Sequence, residues 1–278
     1  MTGMFERTVR TGQAVLKGAT RPQTVPAQVR EVGSGMLAAA LYPFGYVDWG
    51  PGGRTSSSPA LLAPAVSTPV LLVHGYLANK SNWYLVERDL RQAGFGSIHA
   101  MNYGPRGADI EVLAEACATR AREVMAAAGS ERIHLVGHSL GGLVIRQAVQ
   151  QAGLEEAASV VTVATPHGGV DLAHLSRLTA PTNTIARQLR PGSDFLRALW
   201  ASSQPRPETR FVAYYSNLDL LVPGHRAMMR EPELDATNVL VKDHGHLSIV
   251  LSRRLSASVA EEIAVAEVRA RRATSHAA

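Results

Sequence analysis

The pentapeptide Gly-His-Ser-Leu-Gly at residues 137–141 constrains this chain more than any other segment. It follows an apolar, strand-like run that begins at Ile133 and precedes a run of helix-forming residues. A sharp turn between a strand and a helix leaves no room for a Cβ atom at Gly137 or Gly141, and it raises Ser139 above the edge of a sheet. The sequence therefore predicts that Ser139 is a nucleophile. A buried serine in an ordinary turn is the alternative.

A second predicted strand, residues 69–73, ends at His74 in a loop that continues to Tyr76. Its continuous apolar run is typical of a buried parallel strand. A serine nucleophile needs donors for the negative charge that develops on the attacked carbonyl oxygen. We expect these donors to be the backbone N–H groups of Tyr76 and Leu140, the residue after the candidate nucleophile. His74 itself is expected to stabilise the loop.

Candidates for an acid and a base follow two later strands. Asp219 comes just past a predicted strand at 210–216, where open parallel sheets place their sites. It is the predicted acid of a catalytic triad, and an aspartate that only caps its own turn is the alternative. After one more predicted strand, His244 and His246 are both candidates for the general base. The residues alone leave that choice open.

Together these segments resemble the α/β-hydrolases, in particular bacterial lipases and esterases of the triacylglycerol lipase kind. The chain order of serine, aspartate and histidine matches that superfamily. The Thr-Pro-His-Gly-Gly segment at 165–169 is similar to a stretch found in many of its lipases. Its catalytic histidine tends to lie between a glycine and an apolar residue, which favours His246 over His244. The resemblance covers most of the chain and implies a triad of Ser139, Asp219 and His246.

Strands that alternate with helices predict an α/β fold, a mostly parallel sheet with helices on both faces. The resemblance implies the α/β-hydrolase arrangement with a short helical, lid-like insertion. The chain of 278 residues is long enough for one well-buried domain. A stretch rich in Gly, Ser, Pro and Ala at 50–69 indicates a linker between an N-terminal extension and this domain. We predict an N-terminal extension and linker over 1–67 and the hydrolase domain over 68–278.

The insertion spans about 170–208, between two predicted strands, where hydrolases of this kind carry their lids. Leucines and aromatic residues recur in it at helical spacing, and prolines separate the helical segments. We expect amphipathic helices that cover an acyl pocket, either as a mobile lid or as a fixed wall. The predicted substrate-binding residues are Leu77 and Trp83, which follow the His-Gly loop, and Leu172, Leu175, Leu199 and Trp200.

The amino-acid composition limits the binding partners and the cellular location that we expect for this protein. The net charge of +5 comes from arginines dispersed along the chain, which argues against nucleic-acid binding. The single cysteine, Cys117, cannot form an intramolecular disulfide, and the N-terminal residues lack the apolar core and cleavage site of a secretory signal. We expect a cytoplasmic protein or one at the membrane periphery. The aromatic residues suited to a membrane surface are Tyr42, Phe44, Tyr46 and Trp49.

The sequence thus predicts a serine ester hydrolase that cleaves lipid or other apolar acyl esters through an acyl-enzyme on Ser139. No metal or organic cofactor is expected, because a serine, a histidine and an aspartate supply the chemistry by themselves. Two alternatives remain. An acyltransferase, thioesterase or amidase would use the same triad, and a protein without catalytic activity would use the fold to bind a lipid or a protein partner.

Overall fold

The computed structural model describes residues 29, 31–34, 68–104, 108–171 and 184–277, with side chains of the last helix described as far as residue 269. Within these residues, six strands form one sheet. They are β1 Val70–Val73, β2 Ile98–Met101, β3 Ile133–His138, β4 Ala157–Val163, β5 Arg210–Ser216 and β6 Thr237–Val241.

The strands lie in the order β2, β1, β3, β4, β5, β6, and each neighbouring pair is parallel. Parallel strands need long crossover connections, and most of these contain a helix. The predicted α/β architecture with a parallel sheet is confirmed. The helices are α1 Tyr84–Gln92, α2 Ile110–Ala128, α3 Leu140–Gln150, α4 Thr184–Gln188, α5 Asp194–Ala201, α6 Gly224–Ala227 and α7 Arg253–Ala277, with 3-10 turns at Lys80–Trp83, Pro232–Leu234 and Ser248–Leu251.

Helices cover the sheet on both faces, which explains the uninterrupted apolar strands. Alternate residues of β1 point to opposite faces. Leu71 and Val73 join a core cluster with α2, α3 and α5, whereas Val70 and Leu72 join a second cluster with α1 and α7. The central strands β1, β3 and β4 are buried along their whole length. All strands run the same way, so the loops at their carboxyl ends meet at one edge of the sheet.

Helix α2 shows how local sequence sets the helix ends. The side chain of Asp109 accepts a hydrogen bond from the backbone N–H of Val112 at 2.9 Å, which caps the first turn. The helix ends at Gly129, whose φ of +61° is the left-handed conformation common at helix C-termini. Cys117 lies on the buried face, and burial raises the pKa of its thiol to about 12. This cysteine therefore packs as a small apolar residue.

The described part of the predicted insertion packs against the domain core. Phe195, Leu196 and Leu199 of α5 are buried in the core cluster that also contains α2 and α3. The amide of Gln151 donates to the carbonyl oxygen of Ala198 at 3.2 Å and joins α5 to the end of α3. Leu172 and Leu175 lie outside the described residues, so their predicted contact with substrate stays a prediction.

Of the predicted N-terminal extension, residues 29 and 31–34 are described, and they are helical. The four aromatic residues suited to a membrane surface lie outside the described residues. The domain boundary near residue 68 therefore stays a prediction. In the part of the chain that the structure describes, no helix is long and apolar enough to cross a membrane.

Candidate active site

Ser139 occupies the tight turn between β3 and α3. Its φ of +53° lies in a region that residues with a side chain rarely adopt. A Cβ atom on Gly141 would lie 2.2 Å from the carbonyl oxygen of Val73, and one on Gly137 would lie 2.6 Å from the carbonyl group of Gly141. The two glycines therefore have the steric role that the sequence predicted. They let the backbone of β1, β3 and α3 come close enough to hold the serine in this turn.

We expect Gly141→Ala to lower the free energy of unfolding by about 2 kcal/mol or more, because the added methyl group meets backbone atoms that cannot move aside. Urea denaturation measures the change. Gly96→Ala is the matched control, because a Cβ atom at Gly96 would have no neighbour within 4 Å. Equal losses of stability in the two variants would contradict the steric role of Gly141.

His246 joins Ser139 to Asp219 by two hydrogen bonds. Its Nε2 lies 2.9 Å from the Ser139 Oγ, and its Nδ1 lies 2.8 Å from the Asp219 Oδ2. The other carboxylate oxygen of Asp219 accepts the backbone N–H groups of Leu221 at 2.9 Å and Val222 at 2.8 Å. A carboxylate only accepts, so the proton of the neutral imidazole lies on Nδ1 and the lone pair of Nε2 faces the serine hydroxyl.

The surroundings of His246 favour its protonated form. Burial disfavours the imidazolium, but the negative charge of Asp219, the hydrogen bond to it and the charge of Glu31 outweigh burial, so the pKa of His246 is raised above 6.5. A general base is most effective when its pKa lies near the working pH. The arrangement therefore suits an imidazole that takes a proton from Ser139 and later returns it.

His244, the other candidate base, does not reach this site. Its Nδ1 donates to the carbonyl oxygen of Lys242 at 2.7 Å. Its own carbonyl oxygen accepts the hydroxyl of Ser216 at 2.5 Å. The structure brings His246 to Ser139, and the side chain of His244 instead closes the turn after β6.

The loop after β1 lies against the turn of Ser139. A Cβ atom on Gly75 would lie 3.1 Å from the Cβ of Ser139. Tyr103 holds this loop, because its ring stacks on His74 at 4.3 Å and its hydroxyl donates to the His74 carbonyl oxygen at 2.5 Å. Burial lowers the pKa of His74 to about 4, so this residue is neutral at physiological pH. His74 has the loop-stabilising contacts that we expected, whereas no sequence motif pointed to Tyr103.

The two predicted oxyanion donors lie on either side of the serine. Tyr76 continues the loop that touches Ser139, and Leu140 is the first residue of α3. The first N–H groups of a helix have no partner within it, and the helix end favours negative charge. The roles of Tyr76 and Leu140 remain a proposal, and this geometry supports it.

Similarity to known proteins agrees with this site. Residues 68–186 match the model of the family described as "Putative serine esterase (DUF676)". Over 135 residues the chain is 34% identical to a triacylglycerol lipase of Burkholderia plantarii, a match that takes in 42% of this chain and 36% of that lipase. The chain thus spans little more than a third of this relative's length.

Solved structures of lipases share the architecture. The crystal structure of the mature Bacillus licheniformis lipase BlEst2 has a TM-score of 0.62 at 20% identity, over 74% of this chain and 95% of the lipase. The monoacylglycerol lipase of Paleococcus ferrophilus gives a TM-score of 0.53 at 19% identity, over 72% of this chain and 96% of that one. The chain has the α/β-hydrolase fold. Its likeness to bacterial lipases and esterases, predicted from the motifs, is confirmed.

Two predicted substrate contacts, Leu199 and Trp200, lie near the end of α3 that is far from Ser139. Leu199 and Trp200 end α5, which is joined to the end of α3 by the hydrogen bond from Gln151. Ser139 directly precedes the first residue of α3, which is 11 residues long. At about 1.5 Å per residue, the two ends of α3 are about 16 Å apart. Leu199 is buried in the core and Trp200 is half exposed, and their contact with the acyl chain stays a prediction.

The predicted contact of Trp83 with substrate also stays a prediction. This tryptophan has no exposed surface and packs in the core cluster that contains Val70, Leu72 and residues of α1 and α7. An indole buried in this way contributes to the core. Leu77 is different, because its side chain is 48% exposed next to the loop that touches Ser139.

In the described part of the chain, three exposed leucines directly follow residues of the candidate site. Leu77, Leu220 and Leu247 are 48%, 42% and 39% exposed. Leu77 directly follows Tyr76, Leu220 follows Asp219, and Leu247 follows His246. Of the three, the sequence analysis named only Leu77, which follows the His-Gly loop. It missed Leu220 and Leu247, because a single leucine in a loop has no periodic pattern that marks it. We call these three residues the leucine rim.

The Thr-Pro-His segment after β4 belongs to a buried polar network. His167 accepts from Arg146 of α3 at 3.0 Å and bonds Thr162 at 3.1 Å. Arg146 also forms a buried ion pair with Glu231 at 2.8 Å. Burial and the charge of Arg146 lower the pKa of His167 well below 6.5, so its imidazole is neutral. The network ties α3 to β4. Among the described residues, no group of three or more His, Cys, Asp or Glu side chains could hold a metal ion.

Proposed function

We propose that this α/β-hydrolase is a serine ester hydrolase in which Ser139 is the nucleophile, His246 the general base and acid, and Asp219 the residue that orients the imidazole. The observation that carries the proposal is the unbroken relay of hydrogen bonds, 2.8 Å from Asp219 to His246 and 2.9 Å from His246 to Ser139. The relay ends at a serine in a strained turn, where nucleophiles of this fold lie. The match to a serine esterase family supports the same chemistry.

In the first half of the reaction, the Oγ of Ser139 attacks the ester carbonyl carbon while Nε2 of His246 takes the hydroxyl proton. The carbonyl oxygen becomes an oxyanion, to which the N–H groups of Tyr76 and Leu140 donate. Each such donor contributes about 3 kcal/mol to the stability of the transition state. The imidazolium then gives its proton to the alcohol oxygen as the ester C–O bond breaks, which leaves an acyl-enzyme.

Water completes the reaction. His246 takes a proton from the water as its oxygen attacks the acyl carbon, and it returns the proton to Ser139 Oγ as that C–O bond breaks. Asp219 remains ionised throughout and stabilises the imidazolium. The two backbone N–H groups that bond its Oδ1 keep its carboxylate in place.

We propose lipid or other apolar acyl esters as the substrate class. The leucine rim supports this choice, because exposed apolar side chains that directly follow Tyr76, Asp219 and His246 in the chain gain free energy when an acyl chain covers them. The triacylglycerol lipase of Burkholderia plantarii supports it as well. A location in the cytoplasm or at the membrane periphery, and the lack of nucleic-acid partners, stay predictions.

Rates on p-nitrophenyl esters from acetate to palmitate test both the reaction and the substrate class. We expect Leu220→Ser and Leu247→Ser each to lower kcat/KM about 5- to 10-fold on long-chain esters and far less on acetate, since about 1 kcal/mol of apolar contact is lost. Leu240→Ser is the matched control, because this leucine is 40% exposed on β6 and does not adjoin a site residue. Equal losses on acetate and palmitate would contradict the proposed acyl contact, and a lack of hydrolysis of every ester would contradict the function.

A further inference from the structure

One side chain from the N-terminal extension reaches the loop of His246. The carboxylate of Glu31 accepts the backbone N–H of Leu247 at 2.6 Å through Oε1 and that of Ser248 at 3.0 Å through Oε2. The two segments are more than 200 residues apart in the sequence, at a separation of 216 for Leu247. Leu247 and Ser248 begin the 3-10 turn that follows His246, and first N–H groups of such turns need an outside acceptor. Glu31 therefore caps this turn with both of its oxygens.

The residue before His246 leaves room for this contact. A Cβ atom on Gly245 would lie 2.3 Å from the Oε2 of Glu31. The N–H of Gly245 donates to the Ser248 hydroxyl at 2.8 Å, which closes the loop around His246. The carboxylate thus touches the chain on both sides of His246, at Gly245 and at Leu247. A carboxylate that accepts backbone N–H groups makes charge-assisted hydrogen bonds, which are stronger than neutral ones.

Among the residues that the structure describes, three titratable side chains face His246. Asp219 bonds its Nδ1 at 2.8 Å, Glu31 acts on it from the capped turn, and the ring of His138 lies 5.0 Å away between centroids. His138 bonds the carbonyl oxygen of His246 at 3.1 Å, and burial lowers its pKa to about 3, so it is neutral. The charges near the imidazole are therefore both negative, and both stabilise the imidazolium that forms during the reaction.

We propose that Glu31 is a positioning residue of the hydrolase site: by capping Leu247 and Ser248 it fixes the loop that holds His246 against Ser139. The N-terminal extension then completes the site. This inference rests on the proposed function, and it adds a second carboxylate that acts on the imidazole from the side of the loop.

The pH dependence of kcat/KM tests this role. His246 must be neutral to accept a proton, so the rate rises with pH through its pKa, and we expect the acid limb of the unaltered protein above pH 6.5. Glu31→Gln keeps the size of the side chain and removes its charge. We expect this variant to move the acid limb down by about half a pH unit and to lower kcat about 3- to 10-fold, because one cap and one stabilising charge are lost.

Two further variants sharpen the test. Glu31→Asp keeps the charge, so its acid limb should stay nearer that of the unaltered protein. Gly245→Ala should displace the carboxylate of Glu31, which is the far end of a flexible side chain, and should shift the limb in the same direction as Glu31→Gln. Glu123→Gln on α2 is the control for loss of one carboxylate, since Glu123 pairs with Arg120 on the same helix at 2.9 Å and lies far along the chain from both loops. It should change neither the limb nor kcat.

An NMR titration of the imidazole separates this proposal from the proposed function, because it needs no activity. The His246 ring signal, assigned by its loss in His246→Asn, should titrate at lower pH in Glu31→Gln than in the unaltered protein. If no ester is hydrolysed but this shift occurs, the proposed function fails and the role of Glu31 stands. If esters are hydrolysed and neither the titration, the acid limb nor kcat differs between Glu31→Gln and Glu123→Gln, the role of Glu31 is overturned.

Discussion

Ser139→Ala should lower kcat for ester hydrolysis by about four orders of magnitude or more, because no other group can form the acyl-enzyme. The rate that remains over water comes from the oxyanion donors and substrate binding. The variant should fold normally, since the substitution removes one hydroxyl group and leaves the glycines of the turn in place. Initial rates on p-nitrophenyl butyrate and the urea midpoint measure the two effects.

Covalent labelling locates the nucleophile directly. A fluorophosphonate should add one adduct to the unaltered protein, and peptide mapping should place the adduct on Ser139. Ser202→Ala is the matched control, because this serine at the end of α5 only donates to the carbonyl oxygen of Leu199 at 3.0 Å. It should label and hydrolyse normally. Equal labelling of the Ser139→Ala protein would show that the nucleophile lies elsewhere.

His246→Ala should be nearly as inactive as Ser139→Ala, with a loss of about four orders of magnitude, because the serine then has no base. His244→Ala should keep at least roughly a tenth of the rate, since its imidazole bonds to Lys242 and does not reach the serine. These two variants form a matched pair, two residues apart in one loop. The measurement is kcat/KM on the same ester for both proteins.

Asp219→Asn tests the acid of the same relay. We expect a loss of up to about four orders of magnitude, because an asparagine amide no longer fixes the tautomer of His246 or stabilises its charge. Combining it with His246→Ala should cost little more than His246→Ala alone, since members of a triad act as a unit. If His244→Ala were the inactive variant, the base would be reassigned. If neither histidine variant lost activity, the relay would not be catalytic.

The sequence was sufficient to predict the architecture and the three side chains that meet. Continuous apolar runs marked the buried strands, and strands of one direction bring their carboxyl ends to one edge. The glycines at 137 and 141 marked the turn, because the clash they avoid is set by neighbouring backbone. Asp219 and His246 follow strand ends, so their meeting with Ser139 follows from the same rule, while their roles remain proposals.

The predicted substrate contacts are the part of the site that sequence patterns define least, for a physical reason. Helical spacing shows that one face of α5 is apolar, and it does not show which end of a neighbouring helix that face meets. Leu199 and Trp83 are apolar because the core requires them, and a core residue has the same sequence pattern as a residue that lines a pocket. Burial distinguishes the two uses, and burial depends on the packed structure.

Local sterics and periodicity act over a few residues, and those are the features that the sequence by itself determined: the parallel sheet, the turn of Ser139 and the order of the candidate triad. Contacts between distant segments have no period. The tertiary structure alone decided that Tyr103 holds the loop of His74 and that Glu31 caps the turn after His246, although Glu31 and Leu247 are 216 positions apart in the sequence. Such pairs are chosen by how the elements pack around the sheet, because only packing brings their polar atoms within hydrogen-bond distance.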